Sequence, residues 1–168
     1  MGVPADDGWA LEQAMDSDVD EVMAWFPDAA SVDIWSGPGF RFPFSTVTFR
    51  EDLRLDEMAS WVLRRPGGEL AAFGQSYERH GRGHLARLVV DPALRGQGAG
   101  KRLIQHIIGA LDARYGYDEY SLFVYRHNET AYRCYRSMGF GVVEYPEDAA
   151  MADKCFFLTR KAAGEDDE

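Results

Sequence analysis

The sequence predicts an α/β chain of the α+β kind: a mixed, mostly antiparallel sheet of seven strands, flanked by helices on both faces. Three observations carry this. Strand-like runs follow one another across short turns in "WVLRRPGGELAAFGQSYE" and "GRGHLARLVV", the pattern of an antiparallel meander. The apolar period then changes: Leu103, Ile104, Ile107, Ile108 and Leu111 form one helical stripe between Gly98 and about Arg114. Short strands follow, at "YSLFVY", "FGVVEY" and "KCFFLT", with a second polar-apolar helix among them.

The elements can be justified in order. "WALEQAM" alternates as an opening strand. "DSDVDEVMAWF" reads as a capped helix, because acids crowd its first turn and Val19, Val22, Met23 and Phe26 share a face. "AASVDIW" suits a second short helix, whereas the Gly/Pro/Phe stretch "SGPGFRFPF" suits an irregular loop. "RPGG" signals the first hairpin turn. The helix in "NETAYRCYRSM" starts at an Asn cap and stops at Gly139. The expected order is βααβββαβαββ.

A chain of 168 residues fits one domain, expected to span 1–168 with frayed ends at about 1–8 and 163–168. Its 46% apolar and 13% aromatic content excludes disorder. No run of about 18 apolar residues exists to cross a membrane. The start "MGVPADDGW" lacks the basic region and apolar core of a signal peptide. Cys134 and Cys155 are too few for a disulfide framework, so free thiols and a cytoplasmic location are expected. The net charge of −10 argues against nucleic acid as a partner. It fits solubility first and a cationic acceptor only weakly.

"RGQGAGK", Arg95 to Lys101, places three glycines before a helix. Such a loop offers backbone N–H groups and a helix dipole to a phosphate without side-chain bulk. A P-loop is excluded, because Arg95 stands where its first glycine belongs and Arg102 where its Mg²⁺-binding hydroxyl belongs. A dinucleotide fingerprint is excluded, because Lys101 stands at its third glycine. The pattern [Q/R]-x-x-G-x-[G/A] fits, at Arg95, Gly98 and Gly100.

With "LVVDPALRGQGAGKRLI" and "NETAYRCYRSMGF" in this order, the chain resembles the GNAT superfamily of acyl-CoA-dependent N-acetyltransferases. The resemblance covers about Met58 to Thr159 and implies the GNAT fold, acetyl-CoA as cofactor, and acetyl transfer to an amine in a ternary complex. A non-catalytic acyl-CoA-binding or sensing module of the same fold is the alternative. It implies cofactor contacts from the backbone of Leu88, Val89 and Val90, from Arg95, Gly96, Gln97, Gly98, Ala99, Gly100 and Lys101, and from Asn128 and Ala131. The valines and Leu88 also suit core packing, and Asn128 also suits a helix cap.

Tyr135 occupies the position where the family carries its general acid. A phenol near 10 donating to a thiolate near 8.5 faces an uphill transfer of roughly 2 kcal/mol, which local electrostatics can offset. For the base, the resemblance points to His84, eleven residues before Arg95. Histone-type members hold a glutamate there and arylalkylamine-type members a histidine; the latter's second histidine falls on Ala86 here. A satisfied strand histidine suits His84 equally well. Glu78 and His80 are fallbacks, and an ordered water chain needs no single base. Trp35, Phe40, Phe42 and Phe44 could line an aromatic acceptor pocket or plug the core. Cys134 has no histidine at usable spacing to act as a nucleophile. No metal-ligand spacing appears. The acceptor is thus expected to be a small-molecule or peptide amine, cationic or aromatic, and the chain a monomer or homodimer.

Overall fold

The computed structural model describes residues 7–146 and 151–162. The expected tails at 1–6 and 163–168 lie outside the described residues. Asp7, placed by the sequence in the first tail, accepts a hydrogen bond from the Trp9 backbone N–H (3.0 Å) and faces Arg102 at 3.4 Å.

The chain runs β1 (Ala10–Gln13), α1 (Asp16–Met23), α2 (Ala29–Ser36), α3 (Thr46–Leu53), β2 (Ala59–Arg64), β3 (Leu70–Arg79) and β4 (Arg82–Val90). A 3₁₀ turn (Pro92–Leu94) leads to α4 (Ala99–Arg114), β5 (Glu119–Tyr125), α5 (Glu129–Ser137), β6 (Gly141–Val143) and β7 (Cys155–Lys161). The sheet has seven strands in the order β1-β2-β3-β4-β5-β7-β6, and every pairing except β4 with β5 is antiparallel. This is the expected mixed sheet.

One helix was not foreseen. The residues of α3, "TVTFREDL", include β-branched Thr46, Val47 and Thr48, which are poor helix formers. Tertiary packing and capping override that propensity. The Ser45 hydroxyl accepts from the Thr48 N–H (3.1 Å), and the Thr48 hydroxyl accepts from the Ser45 N–H (2.9 Å). Phe49 and Leu53 are then buried completely.

Strand alternation divides the core in two. Leu63 and Ala72 point to a cluster built on α4, with Leu103, Ile104 and Ile107. Their neighbours Val62 and Phe73 point to a cluster built on α1, α2 and α3, with Val22, Val32 and Phe49. Side chains of α5 pack on the α4 side. The period of two thus sends successive residues to opposite layers, and the sheet is covered on both faces. Arg64 ties the first layer to the sheet edge, reaching Asp18 at 2.7 Å and Glu12 at 2.8 Å.

The feature that positions the site is a bulge in β4. Ala86 and Val89, three apart, face Gln75 and Phe73, two apart on β3. The extra residue leaves Arg87 at φ 53°, in the left-handed region. That conformation costs about 1–2 kcal/mol for a non-glycine residue. The Trp35 indole N–H donates to the Arg87 carbonyl (2.8 Å), and the Arg87 guanidinium donates to Gln75 Oε1 (3.0 Å) and the Leu53 carbonyl (3.3 Å). At about 1 kcal/mol each these bonds offset the strain. β4 pairs with β5 only at Gly83↔Tyr120 and His84↔Ser121, before the bulge. Beyond it the two parallel strands diverge.

Gly83 sits at that junction. A Cβ there would meet the Tyr120 ring at 2.7 Å and the Tyr117 ring at 2.8 Å. Rigid rings cannot yield as a flexible chain end can. Gly83→Ala should therefore cost about 1–3 kcal/mol of stability, seen as a lower Tm in thermal unfolding. An unchanged Tm would show that the rings move aside freely.

Candidate active site

The divergence of β4 and β5 opens a cavity of about 970 Å³. One end is the loop before α4. Gly96 and Gly98 both take φ 82°, which an L side chain seldom adopts. Gly98 is the N-cap and supplies no side-chain cap. The first-turn N–H groups of Ala99, Gly100 and Lys101 have no acceptor among the described residues. They are donors at the positive end of a 16-residue helix. Arg95, Gly96, Gly98, Ala99, Gly100 and Lys101 line the cavity; Gln97 is exposed and does not. Arg102 does not line the cavity: its guanidinium lies over the Trp9 ring at 4.9 Å and donates to the Gln97 carbonyl (3.3 Å).

The cavity follows β4. Leu88 and Val90 pack their side chains toward the α4 cluster and Val89 toward the other. All three also line the cavity, along a stretch of β4 that has left β5. Core packing and a place on the cavity wall therefore coexist at these residues.

The wall beyond is α5. The Asn128 side chain accepts from the Ala131 N–H (3.4 Å), as an N-cap does. Ala131, Cys134 and Tyr135 line the cavity, consistent with their helical spacing. Tyr132 does not: its ring packs on Phe156 at 5.0 Å and its hydroxyl accepts from Arg136 (3.1 Å). The Tyr135 hydroxyl has no hydrogen-bond partner among the described residues and is not sealed from the cavity. Burial, with Cys134 beside it, raises its pKa above the ordinary phenol value, so it keeps its proton. Burial also raises the Cys134 thiol, against the influence of Lys101, which disfavours the thiolate that nucleophilic chemistry needs.

His84 lines the cavity and is 2% exposed; Glu78 and His80, the fallbacks, do not line it. His84 Nδ1 shares a 2.8 Å hydrogen bond with the Ser121 hydroxyl, and Nε2 has no hydrogen-bond partner among the described residues. Its ring lies between Tyr77 (5.2 Å) and Phe123 (5.0 Å). Burial pushes its pKa down to about 3, helped by Arg79 and His80, so the imidazole is neutral near pH 7.

Of the aromatic residues that suited a pocket or the core, Trp35 stacks on Phe49, Phe40 and Phe44 meet Phe49 edge-on, and Phe42 is partly exposed beside Phe44. Trp35 also borders the cavity. Other rings that line it are Trp25, Phe26, Tyr77, Phe123, Tyr125 and Tyr145. Sequence reasoning missed these and Ser121. Tyr77 could have been found, since the short turn at 80–81 sets it opposite His84.

Residues 20–140 match the family model described as the acetyltransferase (GNAT) family. The chain belongs to the GNAT family. Its fold agrees with solved structures of N-acetyltransferases. The ribosomal-protein-S18-alanine N-acetyltransferase from Escherichia coli is 23% identical, with TM-score 0.62, over 94% of this chain and 97% of that one. PaiA N-acetyltransferase from Thermoplasma acidophilum, in complex with coenzyme A, is 17% identical, with TM-score 0.67, over 91% and 98%. Spermidine N-acetyltransferase from Vibrio cholerae, in complex with CoA and spermine, is 14% identical, with TM-score 0.72, over 94% and 97%. GNAT enzymes use acetyl-CoA. The residues present fit it: N–H groups without an acceptor among the described residues and flanking cations suit a pyrophosphate, and a long cavity along the side of β4 that has left β5 suits an extended amide-bearing arm. Among the described residues no helix is long and apolar enough to cross a membrane, and no His/Cys/Asp/Glu group could hold a metal.

His84 makes the fold acid-sensitive. Its pKa is about 3 in the folded chain and near 6.5 unfolded. Between these values the unfolded chain binds a proton that the folded chain excludes, so stability is retained above about pH 6.5 and lost as pH falls toward 3. Tm should drop from about pH 7.5 to about pH 4, and more shallowly in His84→Gln. Equal slopes would acquit His84.

Proposed function

We propose that this GNAT protein transfers the acetyl group of acetyl-CoA to a primary amine by direct attack in a ternary complex. The observation that carries the reading is Tyr135: a protonated hydroxyl with no hydrogen-bond partner among the described residues, held on α5 at the cavity wall. When bound, the cofactor supplies an acetyl thioester. The N–H groups of Ala99, Gly100 and Lys101, with Arg95 and Lys101 side chains, hold its pyrophosphate. The backbone of Leu88 and Val90 aligns its arm, with Asn128 and Ala131 opposite. Tyr135 delivers a proton to the departing sulfur. Its raised pKa keeps that proton available but makes the donation harder, so contact with the developing thiolate must supply the driving force.

The amine must be deprotonated to attack. His84, neutral and facing the cavity, can accept a hydrogen bond from it, while its low basicity favours passing the proton to water. The whole chain, 1–168, acts as a single domain in this reading. Two neighbours of the same fold are named for acting on spermidine and on a ribosomal-protein alanine, which supports an amine acceptor without choosing it.

Tyr135→Phe should lower kcat by ~10²-fold or more, the usual scale for a lost general acid. Acetyl-CoA should still raise Tm in that variant. An unchanged kcat would remove Tyr135 from the mechanism. Acetyl-CoA binding by the unaltered protein, with no thiol release toward any amine, would favour a binding module instead.

A further inference from the structure

The cavity carries information about the acceptor that the loop and Tyr135 do not. Tyr77 and Phe123 flank His84, and Tyr145 lies 5.3 Å from Phe123. All three line the cavity. Facing elements add Trp25 from just beyond α1 and Ile34 from α2. Ile34 is 46% exposed, an apolar side chain left open at the cavity wall.

The charged side chains tell the same story. The chain has 28 acidic residues, yet no Asp or Glu is among the described residues that line this cavity. Those that line it with a permanent charge are Arg87, Arg95 and Lys101, all cationic. Arg95 and Lys101 belong to the loop end. Arg87 is already held by Gln75 and the Leu53 carbonyl. A second ammonium on the acceptor would lose water here and meet like charge, which is costly. A ring or hydrocarbon body would gain about 25 cal/mol per Å² of apolar area buried. The surroundings that keep His84 neutral also favour an amine in its free-base form.

Resting on the acetyltransferase reading, we propose that the acceptor is an arylalkyl primary amine with no second charge, its ring bound against Tyr77, Phe123 and Tyr145. Stacking and edge contacts with these rings orient the aromatic body, and the amino group points toward His84 Nε2 and the thioester. The amine nitrogen forms the new amide bond, the thioester C–S bond breaks, and the sulfur leaves with one proton as the free thiol.

The test is thiol release from acetyl-CoA with 2-phenylethylamine, tryptamine, spermidine and an alanine-terminated peptide. The arylalkylamines should exceed spermidine in kcat/KM by about tenfold or more. Ile34→Glu, at an exposed position, adds a carboxylate to the wall. With an unchanged Tm, it should narrow the ratio severalfold by improving spermidine. Higher kcat/KM for spermidine or the peptide overturns this proposal and leaves the acetyltransferase reading standing. A ratio unmoved by Ile34→Glu overturns the claim that the uncharged wall of this cavity selects against a second charge on the acceptor. No release with any amine overturns both readings.

Discussion

The bulge at Arg87 is the constraint on which the rest depends. Parallel neighbours β4 and β5 would otherwise continue pairing past His84 and Ser121, and no cavity would exist between them. The left-handed residue is held from three sides. Trp35 on α2 takes its carbonyl, Gln75 on β3 takes its guanidinium, and the carbonyl of Leu53 at the end of α3 takes it as well. Gln75 is fully buried and donates in turn to the Leu53 carbonyl (2.9 Å) and Ser60 (3.0 Å). A satisfied buried network of this kind is rigid, because losing any member leaves a desolvated polar group unpaired. The helices α2 and α3 therefore do more than cover the sheet: they hold open the gap in it.

Within that gap, most of the candidate chemistry uses groups that do not change charge near neutral pH. The phosphate end offers backbone N–H groups and a helix dipole. The reacting end offers a phenol kept protonated and an imidazole kept neutral, both by burial. Preorganised donors in a dry site act without reorganising at the moment of reaction. The acidic surface and the cavity are accordingly different environments. The net charge of −10 describes the first, whereas the described residues lining the second include no Asp or Glu.

Much of this was legible in the sequence where local signals are strong. The stripe from Leu103 to Leu111 identified α4, and the glycines before it identified an uncapped helix entry. The meander strands followed from period and turn chemistry. Helix α3 was not legible, because its β-branched residues argue against a helix until Phe49 and Leu53 find their places beneath the loop. Phe40 and Phe44 looked equally like pocket or core, since an aromatic ring suits either; their edge-on packing against Phe49 decided it. Ser121 carried no local signal, because its bond to His84 spans 37 residues and one parallel pairing.

The sequence by itself determined the local geometry of the loop: glycines at 96 and 98 allow a left-handed backbone, and an apolar period after them makes a helix whose first N–H groups have no acceptor among the described residues. Those properties depend on residues within a few positions of one another. The tertiary structure decided the cavity and its character. Arg87 is left-handed only because Trp35, Gln75 and Leu53 converge on it from three other elements. His84 is neutral only because β3 and β5 bury it between two rings. Burial and long-range hydrogen bonding belong to the assembled layers, and no window of sequence contains them.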